Sequence, residues 1–298
     1  MGNLVSGSSA LLQLTSSEIK CKINQRHLFG LEELQKQLFG FCKTILTADK
    51  PLLSQLSFYD LAPSVLLYGP PNTGKTTLSY LIFNQIKEEV TNEINFYTLD
   101  VGRMLDPALG QSSRNLEQIF DYLHKICSDG SSAFLLLDEL DMFCMSRSRA
   151  QEHDAVRRAM TTLMLELDKL QIAISNNLLV FGITNVPDLI DTAVVRRFSF
   201  KSSVNPCLSW LEFKAYMGYL NQPIQHISSE EELQKLYSIY QERGFTVGDI
   251  KALYQTLIID ILCNSKNNPT SERLICMFNQ GFSSQEHLHK TTKEVLNV

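Results

Sequence analysis

The sequence is short of most features that would set it apart from an ordinary folded protein. It has one tryptophan in 298 residues and only 14 glycines and 9 prolines, which excludes collagen-like and low-complexity disordered classes. No charge of one sign dominates. Lys and Arg number 27 against 32 Asp and Glu, for a formal net charge of −5, and this mild acidity argues against a strongly basic nucleic-acid binder. No apolar run approaches the ~18 residues a membrane span needs; clean runs such as Ala133–Leu137 are strand-length. No cationic stretch followed by an apolar one opens the chain, so no secretory leader is expected. The seven cysteines (Cys21, Cys42, Cys127, Cys144, Cys207, Cys263 and Cys276) are odd in number and include no C-x-x-C pair. That pattern fits reduced thiols in a cytoplasmic protein better than a disulfide framework or a zinc site. His287 and His289 alternate near the C-terminus without cysteine partners, a weak basis for a metal site. Met1-Gly2-Asn3-Leu4-Val5-Ser6 fits the N-myristoylation pattern, which is short enough for coincidence to account for it.

What is present is a chain long enough for about two domains. Residues 1–23 are small and polar and read as a flexible arm. From Asn24 to about Leu46, apolar residues recur at helical spacing (Leu31, Leu34, Leu38, Phe41, Ile45), and Pro51 closes that region. Apolar strands then alternate with amphipathic helices. The strands are Pro63–Tyr68, Phe96–Asp100, Phe134–Asp138, Leu178–Thr184 and a last one from Phe198; the helices are Lys75–Glu89, Ser113–Ile126 and His153–Leu170. Continuous apolar strands separated by helices predict a parallel α/β sheet covered on both faces. After Asn205-Pro206 the strand signal stops and the rest reads as helices. The expected division is a large α/β domain over 24–205 and a small helical domain over 206–298.

Gly69-Pro-Pro-Asn-Thr-Gly74-Lys75-Thr76 is G-x-x-x-x-G-K-T between a strand and a helix, the context a phosphate-binding P-loop requires. Backbone N–H groups and the positive end of the following helix hold an anion there. The candidate binding set is Pro70, Pro71, Asn72, Thr73, Gly74, Lys75, Thr76 and Thr77. Lys75 is placed to neutralise the β/γ-phosphates of ATP, and the Thr76 hydroxyl to ligate Mg²⁺. Asn72, within the loop, tolerates positive φ better than most residues. About 60 residues on, Phe134-Leu-Leu-Leu runs into Asp138-Glu139. Asp138 would hold the Mg²⁺ shell, and Glu139 would orient and polarise the attacking water.

With both motifs placed, the sequence resembles the AAA+ ATPases carrying a second region of homology. That resemblance implies a P-loop NTPase fold with a small helical lid. Thr184-Asn185 resembles sensor 1, which puts the Asn185 side chain beside the γ-phosphate. Asp191-Thr-Ala193-Val-Val-Arg196-Arg197-Phe198 resembles the arginine-finger segment, implying that Arg196 or Arg197 reaches the ATP of a neighbouring subunit in a six-membered ring. Leu28-Phe29-Gly30-Leu31 resembles the segment that packs on adenine, making Phe29 and Gly30 candidate nucleotide contacts. Gly244-Phe-Thr-Val-Gly248-Asp249-Ile250 resembles the sensor-2 turn but has no arginine. Threading relatives carry an aromatic pair on a pore loop, whereas the corresponding Met104–Gly110 carries none, so gripping a chain is less secure here than hydrolysing ATP. Within the family the sequence is similar to pachytene-checkpoint-type remodellers of HORMA proteins. It is especially similar to the compact bacterial versions found with nucleotide-signalling antiviral systems.

Three functions compete. The expected one is a ring ATPase that remodels a protein partner. A nucleic-acid loader or motor would use Arg147, Arg149, Arg157 and Arg158, although a solvated helix face is the commoner reason for such a cluster. A non-hydrolysing scaffold is opposed by the presence together of Lys75, Asp138, Glu139 and Asn185.

Overall fold

Residues 3–4, 10–24, 27–90, 93–104, 111–143, 150–172, 177–264 and 271–284 are described by a computed structural model. Their contacts group the chain into two units. The first is Met1–Arg26, Glu33–Gly69 and Lys75–Ser203, and the second is His27–Glu32, Pro70–Gly74 and Val204–Val298.

Among the described residues of the first unit, seven strands form one sheet: β1 (Asn3–Leu4), β2 (Leu11–Leu14), β3 (Ser64–Tyr68), β4 (Ile94–Leu99), β5 (Ser132–Leu137), β6 (Leu178–Thr184) and β7 (Phe200–Ser203). Their spatial order is β1-β2-β4-β5-β6-β3-β7. Strands β4, β5, β6, β3 and β7 are parallel, as the apolar runs require, while β1 and β2 add an antiparallel edge. The accompanying helices are α1 (Ser16–Ile23), α2 (Glu32–Thr47), α3 (Lys50–Phe58), α4 (Lys75–Glu89), α5 (Val101–Met104), α6 (Gln111–Ser128), α7 (Ala150–Ile172) and α8 (Thr192–Arg196). All of β5 is buried, because its alternate side chains enter two cores. Ala133, Leu135 and Leu137 pack with Leu116, Phe120 and Leu123 of α6 and Leu163 and Leu167 of α7. On the other face Phe134 stacks between Phe96 and Phe181, with centroids 5.0 and 4.3 Å away, and Phe83 of α4 meets it edge-on. Such aromatic pairs add about 0.5–1.5 kcal/mol each beyond their buried area.

Two local readings of the N-terminal region change. Residues 11–23, expected within an arm, form an edge strand and a helix. Strand β2 pairs with β4, Leu11 opposite Leu99 and Leu14 opposite Phe96, so its partner lies far away in sequence. Helix α1 opens on a capping box in which Thr15 and Glu18 satisfy each other's backbone N–H groups, and Ile19 is fully buried. The stretch Thr15-Ser-Ser-Glu18 was the available signal for that start. Pro51 closes nothing. It sits in the first turn of α3 behind the Asp49 N-cap, where its missing N–H has no partner to lose.

The second unit contains α9 (Trp210–Asn221), α10 (Glu230–Arg243), α11 (Val247–Asn264) and α12 (Ser271–Gln280). They close on a core including Phe213, Met217, Leu236, Ile250, Leu257 and Phe278. Helix α10 stops at Gly244 with φ +57°, a left-handed cap that only glycine adopts without strain. The Arg243 guanidinium then donates to the carbonyls of Phe278 and Gly281, and Ser284 donates through N–H and Oγ–H to Asp249. Among the described residues no helix is long and apolar enough to cross a membrane.

Candidate active site

In the first unit the sheet order itself assembles the chemistry. Strands β5, β6 and β3 are adjacent and parallel, with Leu137 opposite Gly182 and Tyr68 opposite Thr184. Their C-terminal ends therefore share one edge, where ligands of open α/β sheets bind. Gly69 follows β3, Asp138 follows β5 and Asn185 follows β6.

Lys75 begins α4 with only 4% of its surface exposed. Its ammonium donates to the Gly69 carbonyl at 2.9 Å. Burial pushes it down to about 8, against the opposing pull of the Asp138 and Asp141 carboxylates. Thr76 Oγ1 donates to Asp138 Oδ2 at 2.9 Å, while the other oxygen of Asp138 accepts the Glu139 N–H at 2.9 Å. The Thr76–Asp138 pair is a set of hard oxygen donors of the kind Mg²⁺ prefers. Glu139 is exposed and has φ +55°. For a non-glycine residue that left-handed backbone costs about 1–2 kcal/mol, and strain of this kind concentrates at functional positions.

Asp141, not singled out in the sequence, is 8% exposed. It accepts the Thr184 hydroxyl at 2.9 Å and the Asn185 N–H at 3.4 Å. Thr184 Oγ1 in turn accepts the Val186 N–H at 3.0 Å. One buried carboxylate thereby ties the segment after β5 to the end of β6, fixing the backbone that presents half-buried Asn185. The signal for it was its place two residues past Glu139, which an ordinary helix-start acid shares.

The arginine segment also lies in the first unit. Asp191 caps α8 by accepting the Ala193 N–H at 2.8 Å. Arg197 is half-buried and gives a two-pronged pair to Asp168 of α7, Nε–Oδ1 2.9 Å and Nη2–Oδ2 3.0 Å. It donates also to the Ala193 carbonyl at 2.8 Å. Arg196 is exposed.

In the second unit, Pro70–Gly74 forms a tight loop. The Thr73 hydroxyl donates to the Pro70 carbonyl at 3.0 Å, and Asn72 and Gly74 have φ of +62° and +95°. Backbone of this hand is what anion-binding concavities are built from. Gly248, at the start of α11, lies against the loop: a Cβ there would stand 2.4 Å from the Asn72 carbonyl oxygen, so only glycine allows the approach. Tyr216 donates to the Val247 carbonyl at 2.7 Å, and the Phe29 ring packs on Tyr216 and Tyr219 with centroids at 4.9 and 5.7 Å. Gly30 has φ +72°; Pro71 is half-buried in the Pro70–Gly74 loop, and Thr77 is buried in α4 of the first unit.

Residues 105–110 of the expected pore-facing stretch, Arg147, Arg149, Gly2, His287 and His289 lie outside the described residues. Arg157 and Arg158 are exposed on α7.

The family model described as "ATPase family associated with various cellular activities (AAA)" matches residues 65–206. An "AAA ATPase forming ring-shaped complexes" from Corynebacterium glutamicum is 27% identical over 181 residues, covering 59% of this chain and 34% of that protein. Spastin from Xenopus tropicalis is 28% identical over 195 residues, covering 64% and 30%. The chain thus spans about a third of the length of these curated relatives. Among solved structures, a HORMA:CdnC:Trip13 complex of E. coli MS115-1 superposes with a TM-score of 0.72 at 18% identity, covering 93% of this chain and 96% of that one. A Rhizobiales Trip13 gives 0.64 at 17% identity, covering 91% and 97%. Likeness at such identity establishes a shared fold, and that fold is the one the strand order and the loop after β3 describe. Residues 65–206 of this chain match the AAA ATPase family model, and the sheet order and the loop after β3 are those of a P-loop NTPase fold.

Proposed function

We propose that this chain hydrolyses ATP, assembles with further copies of itself into a ring, and uses the cycle to remodel a folded protein partner in the cytoplasm. The observation that carries the reading is the constellation after β3 and β5: a buried Lys75 ammonium, Thr76 bonded to Asp138, and an exposed Glu139 on strained backbone. Residues 24–205 would be the ATPase domain and 206–298 its lid.

In this reading Asn72, Thr73 and Gly74 supply backbone N–H groups to the phosphates, Pro70 and Pro71 fix the bend of the loop, and Lys75 neutralises the β/γ-oxygens. Glu139 orients the lytic water and takes its proton, aimed by the left-handed backbone that lifts its side chain into the open. Asn185 hydrogen-bonds the γ-phosphate or that water, from a strand end locked by Asp141. Mg²⁺, when bound through Thr76 and Asp138, supplies charge neutralisation on the phosphate oxygens. An arginine from the neighbouring copy completes the charge balance, an effect worth about 10³–10⁵ in rate where it has been measured. Phe29 and Gly30 would flank the base.

The ring is supported by the C. glutamicum relative, described as forming ring-shaped complexes; six subunits is the expected number. A folded substrate is supported by the HORMA:CdnC:Trip13 structure, whose fold this chain shares over nearly its whole length. A HORMA-domain protein within a nucleotide-signalling antiviral system is the specific partner class proposed.

The test is a substrate trap. Tagged Glu139→Gln protein is expressed in its own host with ATP present, and co-purifying proteins are identified against a Lys75→Ala control. Enrichment of a HORMA-like or other folded protein is the expected result. Enrichment of nucleic acid and its binding proteins would transfer the assignment to a loader, and wild-type turnover by Glu139→Gln would remove Glu139 from the chemistry.

A further inference from the structure

Resting on the proposed hydrolysis between copies, we infer that the adjacent arginines divide their labour: Arg196 faces the neighbour's nucleotide, while Arg197, held by Asp168, is a strut. Asp168 is then a positioning residue that acts through Arg197 on the direction in which Arg196 points.

The two side chains stand in unlike surroundings. Arg197 spends most of its donors inside its own chain, with Nε and Nη2 on the two oxygens of Asp168 and Nη1 on the Ala193 carbonyl and near Met164 Sδ. Releasing such a planar, two-pronged pair gives up its charge-assisted bonds together. The Ala193 carbonyl belongs to α8 itself, so Arg197 ties the end of that short helix to α7. The fixture is reinforced from below, since Phe198 is fully buried in the core shared by α6, α7 and the sheet. Arg196 is the last residue of α8 and exposed, and makes no ion pair among the described residues. Neighbouring residues on a helix point about 100° apart, so when Arg197 turns inward onto α7, Arg196 is directed away from it. A five-residue helix with one capped end and one pinned end is short enough that the pin decides where its last side chain goes.

Steady-state ATPase assays on the full chain test this. Arg196→Ala is expected to lower kcat more than about 100-fold while leaving ADP affinity and Tm unchanged, because the exposed side chain makes no ion pair among the described residues. Mixing it with Lys75→Ala protein, which cannot use nucleotide but still offers Arg196, restores turnover to the mixture. Asp168→Asn lowers kcat less than about tenfold with KM for ATP unchanged. The reciprocal exchange, Asp168→Arg together with Arg197→Asp, recovers activity lost by either single change, which a purely phosphate-binding Arg197 would not allow. If the exchange protein is folded but inactive, and Arg197→Lys at unchanged Tm loses as much activity as Arg196→Ala, the assignment is overturned. If the exchange protein does not fold, the Arg197→Lys and Arg196→Ala comparison decides alone. An active wild type in which Arg196→Ala has no effect removes this inference only, whereas a wild type without ATPase activity removes the functional reading and this inference with it.

Discussion

Lys75 gives a quantitative handle on the electrostatics of the loop. Its buried ammonium sits at about 8, below the ordinary 10.5. In the nucleotide-free chain at about pH 8, roughly half the molecules therefore carry a neutral Lys75, and near pH 7 roughly a tenth do. A polyphosphate beside the amine favours the charged form. Nucleotide binding should then draw in about half a proton per site at about pH 8 and about a tenth of one near pH 7. Above about pH 8 the apparent affinity should fall, approaching about tenfold per pH unit, because each binding event has to recruit that proton. Isothermal titration with ADP in buffers of contrasting ionisation enthalpy reads the uptake directly, as the slope of apparent enthalpy against buffer enthalpy. Lys75→Arg keeps its charge throughout this range and should abolish the slope. The same linkage fixes the sign for stability. The folded value lies below the unfolded one, so between about pH 8 and pH 10 the unfolded chain holds more protons, and the contribution of this group to nucleotide-free stability rises with pH. A wild type that binds ADP at about pH 8 with no proton uptake refutes the reasoning; uptake that persists in Lys75→Arg assigns it to another group.

Three further outcomes are expected. Thr184→Val removes a hydroxyl donor from buried Asp141; stability should fall by about 1–3 kcal/mol, read by calorimetry, and kcat should fall with KM for ATP unchanged if Asp141 positions Asn185. Gly248→Ala forces a methyl onto the Asn72 carbonyl; overpacking of about 1–3 kcal/mol should appear as weakened ADP binding, and unaltered binding with unaltered Tm would show the loop to be free of α11. Phe134→Ala empties the centre of the Phe96–Phe134–Phe181 stack and should cost about 3–5 kcal/mol in denaturant unfolding, with the loss concentrated in stability and not in the affinity of the protein that remains folded.

The sequence by itself determined everything that depends on neighbours along the chain. The Gly69–Thr76 motif, the apolar run into Asp138-Glu139 and the strand–helix alternation are local patterns, and local patterns carry backbone propensity, burial period and chemical type. What it left open depended on residues far apart. The pairing of β2 with β4 could not be read because a four-residue strand has no signal of its own until a sheet edge meets it. Asp141 looked like any acid until the order of β5 beside β6 put Thr184 and Asn185 against it. The left-handed backbone of Glu139 and the absence of room at Gly248 are properties of packing, not of composition. Two adjacent arginines are equivalent as letters. Only the tertiary structure, by bringing Asp168 within reach of one of them, made them different, because a charge acquires its role from the partner that desolvates and holds it.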